Sequence, residues 1–478
     1  MSSLGELPIE QGRNLVLCFD GTDAKFRSKN TNVVKFFGLL QKENVDRQMC
    51  YYQAGIGTYV SPGMVSPLTS WLAKVADEAV AWYLDHHVMG GYRFLMQNYR
   101  AGDKICLFGF SRGAYTARAL AAMLYSVGLL PQDNQEQIAF AYAVYKKTGS
   151  QKTNKKTNSG DDAMGQARKF KQTFCRPVII EFVGCWDTVA STGLLMSKTL
   201  PFVSSNTAIR VFRHALSLDE HRVKYIPNTW HRTAPTPTEA ARDPQKASYA
   251  SGYNSPHEKM GHETRPETDV LEVWFAGCHS DVGGGNQPSE QKGTLSTLTL
   301  SWMVHEVMAS QCGILFDETY LAQAGIAITA QEPTIHPRLL RTSESDNSSR
   351  VDHEDTPSAL HDGTLDNHKL SESNARPGLP STSGTNEVDA FSAPITDSLK
   401  SKPWWWILEL LPLRRSWQDE NGAWHWTYVP NLGRGREIHV PNPNFSVSVK
   451  ERMNDPKLKY KPRARYHGEP RWVSGNYI

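Results

Sequence analysis

The segment that most restricts how this chain can fold is Lys104–Arg118, KICLFGFSRGAYTAR. A short apolar run leads into GFSRG at residues 109–113, and the alanine-rich residues after it are typical of a helix. The pattern predicts a nucleophile elbow, a sharp turn between a strand and a helix with a serine at its apex. Glycines flank that serine because the two backbones pass too closely for a Cβ atom. Ser111 is therefore the first candidate nucleophile; the alternative is that it only caps the helix.

The other members of a serine-hydrolase site are predicted in two later segments. A serine hydroxyl needs a neighbouring base, and that base needs an acid that orients it. Asp187 follows the strand-like run VIIEFVGCW, and His279 follows LEVWFAGC. Such positions assemble at one edge of an open α/β sheet, and the order Ser111, Asp187, His279 is that of α/β-hydrolases. Asp281 is a rival for the acid, and the alternatives are a capping role for Asp187 and a structural role for His279.

A polar turn near the start of the chain, Asp20-Gly21-Thr22, follows the apolar run NLVLCF. We expect a backbone N–H of Gly21 or Thr22, together with that of Arg112, to hold an oxyanion, and Asp20 is a candidate supporting acid. The same turn resembles the Asp-x-Asp-Gly-Thr motif of haloacid-dehalogenase-type phosphatases. Cys18 stands where the nucleophilic aspartate of that motif would be, which disfavours a phosphatase.

Six motifs of a known family occur here in one order. They are FDGT (19–22), AGIGT (54–58), GFSRGAYTAR (109–118), WDTV (186–189), RHALSLDEHR (213–222) and WFAGCHSDVGGG (274–285). Through them, chiefly GFSRGA and GxHSDVGGG, the chain resembles the α/β-hydrolase domain family that includes the catalytic domains of type VI secretion phospholipase effectors. The resemblance covers about residues 12–310. It implies a lipolytic esterase with Ser111, Asp187 and His279 at the matching positions.

The functional hypothesis is a serine hydrolase that cleaves carboxylic esters through an acyl-enzyme. The resemblance implies phospholipid or another lipid ester as its substrate, whereas the ester chemistry follows from the residues themselves. Two alternatives stay open: a non-catalytic binding or scaffold protein on a hydrolase fold, and a hydrolase of small esters or peptides. No cofactor or metal is expected, because neither the cysteines nor the spacing of His214 and His221 matches a metal site.

Composition divides the chain into regions. Residues 12–330 are expected to form an α/β-hydrolase-like domain, a mostly parallel sheet flanked by helices, with residues 231–268 as a flexible insertion. Residues 341–400 are rich in Ser, Thr, Asp, Asn and Pro, which predicts a disordered linker. Residues 401–478 regain Trp, Tyr and Pro and are expected to form a small extension that docks on the catalytic domain.

Apolar periodicity predicts alternating strands and helices. The expected strands are 14–19, 48–53, 105–109, 178–183 and 271–276, and the expected helices are about 32–41, 78–99, 112–127, 135–146, 206–218 and 294–311. On this prediction His214 lies on a helix, and the charged residues after it brace the site loops. His425 and His439 are weaker candidates for the base, because neither follows a strand and a glycine-rich turn as His279 does.

Charge and hydropathy limit the partners. There are 52 Lys and Arg against 49 Asp and Glu, with no basic run interleaved with aromatics, so no nucleic-acid partner is expected. No secretory signal and no window of about 18 apolar residues is visible, so an intracellular, cytoplasmic location is expected. Trp404, Trp405 and Trp406 lie in PWWWILELLPLRRSW and would suit peripheral membrane contact. The alternative is that this stretch packs on the catalytic domain.

Overall fold

An eight-stranded sheet is the centre of the chain in the computed structural model, which describes residues 12–21, 24, 26–55, 69–148, 163–189, 200–231, 267–326, 390–419 and 424–474. The strands of these residues are β1 (Asn14–Phe19), β2 (Gln48–Gln53), β3 (Lys104–Phe110), β4 (Ile180–Trp186), β5 (Ile209–Ser217), β6 (Asp269–Phe275), β7 (Leu413–Gln418), β8 (Trp424–Val429), β9 (Glu437–Ile438), β10 (Asn444–Ser446), β11 (Arg465–Tyr466) and β12 (Arg471–Val473). The main sheet has the order β12-β10-β6-β5-β4-β3-β1-β2, and its neighbouring strands run parallel. Strands β7 and β8 form an antiparallel hairpin, and β9 pairs with β11.

Helices cover both faces of this sheet, which confirms the predicted α/β class. Within the described ranges the α-helices are α1 (Asn32–Leu39), α2 (Thr69–Asn98), α3 (Arg112–Val127), α4 (Ile138–Lys147), α5 (Ala163–Phe174), α6 (His279–Gly283), α7 (Leu295–Ala309), α8 (Glu318–Gln323), α9 (Ser398–Ser401), α10 (Trp406–Glu409) and α11 (Val447–Asn454). Because both faces are covered, the central strands read as continuous apolar runs. Leu15 and Leu17 of β1 pack toward α2 and α3, and Val16 and Cys18 pack toward α1 and α7.

The parallel arrangement positions the candidate site. Parallel strands all end at one edge of the sheet, so the residues that follow β1, β3, β4 and β6 are brought together. These residues include Asp20, Ser111, Asp187 and His279. The polar residues meet at the carboxyl edge, as expected, because the strands that precede them are parallel and lie near one another in the sheet.

The predicted helix over 206–218 is wrong, because residues 209–217 form β5. This strand lies inside the sheet between β4 and β6, so both of its faces are buried and its apolar pattern lacks the alternation that marks a half-exposed strand. Two polar side chains are buried there with partners. Arg213 forms ion pairs with Asp269 and Glu306, and His214 Nδ1 lies 2.9 Å from Glu272.

The regions outside the predicted catalytic domain differ in outcome. Most of the predicted linker, 341–389, lies outside the described residues, as do residues 232–266 of the predicted insertion. Residues 390–400 do not fit a disordered linker. They form a 3₁₀ turn and α9, because Ala393 packs against Leu295 and Leu298 and because Leu399 is buried.

The carboxyl-terminal residues add strands to the main sheet. Phe445 of β10 pairs with Trp274 of β6, and β12 pairs with β10 along the outer edge. Phe445 is fully buried in a cluster with Leu216 and Leu218. Among the helices of the described ranges, none is both long enough and apolar enough to span a bilayer.

Candidate active site

Ser111 occupies the turn between β3 and α3 with a strained backbone. Its φ is 58° and its ψ is −123°, a combination that L-residues other than glycine rarely adopt. The Ser111 N–H donates to the Trp186 carbonyl at 3.0 Å, and the Ser111 carbonyl accepts from the Tyr115 N–H. These bonds hold Ser111 in the turn that follows β3, at the carboxyl edge of the sheet.

Two glycines let the strand and the helix approach each other at this turn. A Cβ atom added to Gly113 would lie 2.2 Å from the Phe19 carbonyl oxygen and 2.4 Å from that of Asp20. A Cβ atom added to Gly109 would lie 2.5 Å from the Gly113 carbonyl oxygen. All three separations are far inside van der Waals contact. The glycines predicted from the GFSRG pattern are therefore required by close packing of backbones.

Ser111, His279 and Asp187 form one continuous hydrogen-bonded line. His279 Nε2 lies 2.8 Å from Ser111 Oγ, and His279 Nδ1 lies 2.5 Å from Asp187 Oδ2. All three side chains are nearly excluded from solvent, with residue exposures of 6% for Ser111, 4% for His279 and 0% for Asp187. The fold thus places His279 within hydrogen-bonding distance of both other residues that the sequence singled out.

Aromatic rings and glycines enclose the imidazole. The centroid of the Phe110 ring lies 4.6 Å from that of the His279 ring. The Tyr225 ring packs on the imidazole in an edge-to-face arrangement, with the centroids 4.8 Å apart. The Phe110 ring also packs on the backbone of Gly283, where an added Cβ would come within 1.9 Å of a ring carbon. The glycine-rich turn after His279 is thus explained by close packing under the imidazole.

The charges around the imidazole are balanced. Burial alone would raise the pKa of Asp187, but Arg436 and His279 outweigh it and hold that pKa well below its ordinary value. Burial lowers the pKa of His279, against the opposing pull of Asp187 and Glu220. A lowered pKa favours the neutral imidazole, and because the Asp187 carboxylate can only accept, the matching tautomer carries its hydrogen on Nδ1 and leaves Nε2 to accept a proton.

Arg436 and Glu220 also contact the site; the sequence predicted that the charged residues after His214 brace the site loops, but it did not identify Arg436. Arg436 forms a two-pronged ion pair with Asp187, at 2.6 and 2.8 Å. Glu220 accepts from the His279 backbone N–H at 3.2 Å and pairs with Arg222, which overcomes burial and lowers the Glu220 pKa to about 2. Glu220 lies in the motif RHALSLDEHR, but Arg436 lies in a region without a recognisable pattern.

The turn after β1 lies beside Ser111. Gly21 is close enough that an added Cβ would be 3.4 Å from Ser111 Cβ. The Gly21 N–H donates to Asp20 Oδ1 at 2.7 Å, and Asp20 also accepts from Thr31 and Tyr52. Asp20 therefore braces this turn. Arg112 is the first residue of α3, and Thr22 lies outside the described residues.

Asp281 is directed away from the imidazole nitrogens. Its Oδ2 accepts from the Cys278 N–H and the Thr396 N–H, both at 2.9 Å, and its Oδ1 accepts from Asn286 at 2.6 Å. Burial raises its pKa against these bonds. Its contacts are those of a cap for the short helix α6 and of a tie to residue 396.

The remaining histidine candidates have structural contacts. His214 Nε2 accepts from the Thr188 N–H at 3.0 Å, and its Nδ1 lies 2.9 Å from Glu272, so it supports the turn that carries Asp187. His425 and His439 both stack on Trp417 of β7. Across the described residues there is no cluster of three His, Cys, Asp or Glu side chains suited to a metal ion.

Comparison with known proteins adds the family. Residues 13–306 match the model of the T6SS phospholipase effector Tle1-like catalytic domain. The chain is 30% identical to the uncharacterized protein YEL023C of Saccharomyces cerevisiae over 89% of this chain and 77% of that one.

Two solved structures are more distant. An uncharacterized protein from Pseudomonas aeruginosa is 16% identical with a TM-score of 0.35, over 66% of this chain and 49% of that one. A Tle1 effector bound to the VgrG spike of the type 6 secretion system is 14% identical with a TM-score of 0.27, over 61% and 56%. The chain thus spans about half the length of these two structures. Because the family match extends over residues 13–306, the chain belongs to the Tle1-like catalytic-domain family of T6SS phospholipase effectors.

Proposed function

We propose that this protein is a serine hydrolase that cleaves lipid esters, with Ser111 as the nucleophile, His279 as the base and Asp187 as the acid. The observation that carries the proposal is the line from Ser111 Oγ to His279 Nε2, at 2.8 Å, and from His279 Nδ1 to Asp187, at 2.5 Å. The strained backbone at Ser111 supports it, because such strain recurs where a side chain must be presented to a substrate. Family membership supports the lipid substrate.

The proposed reaction proceeds in two stages. Ser111 Oγ attacks the ester carbonyl carbon while its proton passes to His279 Nε2, and Asp187 stabilises the imidazolium that results. The tetrahedral intermediate collapses, the C–O bond to the alcohol breaks, and His279 returns the proton to the leaving oxygen. Water then attacks the acyl-enzyme with the same base, which releases the acid and restores Ser111.

The oxyanion of the intermediate requires backbone donors. We assign one to the Arg112 N–H, at the amino end of α3, where the helix dipole also favours negative charge. The second is assigned to the turn at Gly21 and Thr22, as the sequence predicts. Because the Gly21 N–H donates to Asp20 here, its use as a donor requires that bond to be exchanged for one to the oxyanion.

Labelling with a fluorophosphonate probe tests the nucleophile. The folded protein is expected to take up one equivalent, with the adduct mapped to the peptide that contains Ser111, whereas heat-denatured protein stays unlabelled. Ser301 is an internal control, because it is also buried and its Oγ lies 3.4 Å from His305 Nδ1, but it stands within helix α7. No label on folded protein, or a label on another serine, would refute the assignment.

The substrate class is tested by turnover of phospholipid vesicles beside a short soluble ester and a peptide. Hydrolysis of vesicles at least about tenfold faster than of the short ester at equal ester concentration supports the lipid assignment. Turnover of the short ester without vesicle turnover would leave the nucleophile in place and overturn the lipid substrate. Binding without any turnover would favour the scaffold alternative.

A tryptophan-rich surface lies next to the site and is proposed to contact the lipid. We define it as the exposed side chains of α10 and the residues beside it: Trp404 (56% exposed), Trp406 (43%), Ile407 (67%), Leu410 (61%) and Leu411 (41%). An exposed apolar patch of this kind marks an interaction surface, and tryptophan favours the headgroup region of a bilayer. Lys400 and Lys402, also exposed, supply positive charge beside it.

The inner side of this surface is joined to the site by ring contacts. Trp405 is half-buried, and its ring lies 5.6 Å from that of Tyr225, which in turn packs on His279. The Arg222 guanidinium lies over Tyr225 at 3.6 Å and over Trp405 at 5.1 Å. A bilayer held by the exposed rings would therefore lie close to the imidazole that acts on the ester.

Replacing Trp404, Trp406 and Ile407 together with alanine is expected to reduce vesicle turnover by about tenfold or more, because apolar area that would enter the interface is lost. Turnover of the short ester is expected to stay within twofold. Ile179→Ala is the matched control, since Ile179 is 56% exposed but precedes β4 at the opposite edge of the sheet. Equal losses on both substrates would contradict the membrane role.

A further inference from the structure

Arg436 is buried against the acid of the proposed site, although it comes from the carboxyl-terminal region. Its Nη1 donates to Asp187 Oδ1 at 2.6 Å and to the Ser217 carbonyl at 2.9 Å. Its Nη2 donates to Asp187 Oδ2 at 2.8 Å and to the Tyr225 carbonyl at 2.6 Å. The exposure of the ion-paired side chains is 4% for Arg436 and 0% for Asp187. The residue lies outside the 13–306 range that matches the family.

Hydrogen bonds with Arg436, the Ser217 N–H and His279 hold the Asp187 carboxylate in one orientation. Oδ1 accepts from Arg436 and from the Ser217 N–H at 3.0 Å, while Oδ2 accepts from Arg436 and faces His279. A guanidinium matches a carboxylate with two parallel bonds and thereby fixes the plane of the carboxylate. Rotation of the carboxylate would break several of these bonds together. The oxygen aimed at the imidazole is therefore held in place from behind.

The Arg436–Asp187 ion pair also reduces the negative charge next to His279. A carboxylate removed from water needs a partner, and Arg436 supplies it within hydrogen-bonding distance. Part of the negative charge of Asp187 is thus offset before the imidazole is protonated. A less negative environment favours a neutral imidazole, which is the form that can take the proton of Ser111.

The backbone that carries Arg436 is tied to neighbouring segments. The Arg436 carbonyl accepts from the Arg465 N–H at 2.8 Å, and β9, which directly follows Arg436, pairs with β11, which begins at Arg465. Asn431, five residues earlier, donates to the His221 carbonyl at 2.8 Å. The guanidinium is therefore presented by a segment anchored on both sides, as a group that orients another must be.

We propose that Arg436 is a positioning residue of the hydrolase, which acts chiefly through Asp187 by fixing its carboxylate toward His279 and by offsetting its charge. This inference rests on the proposed roles of Ser111, His279 and Asp187. The side chain that hydrogen-bonds to the Arg436 guanidinium is that of Asp187, and its other two hydrogen bonds go to backbone carbonyls, so the acid is its most direct link to the reaction.

The test compares Arg436→Gln, Arg436→Lys and the matched control Arg452→Gln. Arg452 is a buried arginine of the same region, but it donates to the backbone carbonyls of Phe391 and Ala393. We expect Arg436→Gln to lower kcat on a short ester about 10²-fold with little change in KM. Arg452→Gln is expected to leave kcat within twofold for the fraction of protein that is folded.

The pH dependence of kcat/KM distinguishes the two effects of Arg436, namely orienting the Asp187 carboxylate and offsetting its charge. The charged groups facing His279 are Asp187, Glu220 and Arg222, with Arg436 behind Asp187. Only neutral His279 acts as a base, so kcat/KM falls as the pH drops through its pKa, which burial places below the ordinary imidazole value. Loss of the Arg436 cation lets Asp187 stabilise the imidazolium more strongly. The acid limb of Arg436→Gln is therefore expected at higher pH, whereas that of Arg436→Lys stays near wild type while its kcat falls about tenfold.

A double-mutant cycle with Asp187→Asn completes the experiment. Because Arg436 acts through Asp187, adding Arg436→Gln or Arg436→Lys to Asp187→Asn is expected to lower kcat by less than about threefold further. Independent, multiplying losses would overturn the proposal, as would an unshifted acid limb in Arg436→Gln or an unchanged kcat in either folded variant. If Arg436→Gln does not fold, Arg436→Lys carries the cycle alone. A wild-type protein that neither labels nor turns over ester would instead refute the proposed function.

Discussion

Replacement of Ser111 by alanine is expected to abolish ester turnover, with a loss of 10³-fold or more, while the protein stays folded. The alanine lacks the oxygen that would form the acyl-enzyme, and the histidine and the carboxylate cannot replace it. The fold survives because the β3–α3 turn is held by backbone bonds, from the Ser111 N–H to Trp186 and from the Tyr115 N–H to Ser111. Steady-state kinetics on a short ester, with circular dichroism as the check on folding, measure both effects.

Two further variants make that result specific. Ser111→Gly also lacks the nucleophile, but glycine accepts a φ of 58°, so we expect it to be about 1 kcal/mol more stable than Ser111→Ala. Ser301→Ala removes another buried hydroxyl beside a histidine and should keep turnover within twofold. Retention of more than about a tenth of the wild-type rate in Ser111→Ala would exclude Ser111 as the nucleophile.

A single methyl group added at Gly113 is expected to lower the stability of the fold strongly. The new Cβ in Gly113→Ala would lie 2.2 Å from the Phe19 carbonyl oxygen, where both partners are backbone and neither can rotate away. We expect the free energy of unfolding to drop by about 3 kcal/mol, the upper part of the range for overpacking. The strain would also displace the turn at Gly21, so turnover should fall as well.

The matched control is Gly38→Ala in helix α1. An added Cβ there has no atom within 4 Å, so the change should be neutral or stabilise by about 0.5–1 kcal/mol, because alanine restricts the unfolded chain and favours the helix. Denaturant titration of both variants gives the comparison. Equal stabilities would mean that β1 and α3 are less tightly packed than the distances indicate.

The sequence predicted the parts of this fold that short-range patterns encode. The strand over 14–19 and the turn at Ser111 between β3 and α3 lie where the apolar runs and the glycines indicated. Strand β5 was missed, because a strand buried on both faces has no alternation to distinguish it from a buried helix. Strands β10 and β12 were also missed, since three-residue runs are too short to show a period.

The candidate site likewise contains residues that a local motif predicted and residues that no local motif could predict. Ser111, Asp187 and His279 each follow a strand at a position that a local motif marks, and the parallel sheet then brings them together. The sequence could not exclude Asp281 as the acid. Only the coordinates show that both of its carboxylate oxygens accept hydrogen bonds from groups other than His279. Arg436 could not be predicted, since its partner is 249 residues away and one arginine among many carries no local signal.

That long separation has a consequence for the order in which the protein is made. Ser111, Asp187 and His279 leave the ribosome well before residue 436, and closing so long a loop is slow compared with forming the elbow. On the proposed mechanism, a growing chain carries its reactive groups without the arginine that aligns them. Full activity would then be reached only once the segment that carries Arg436 has folded against Asp187.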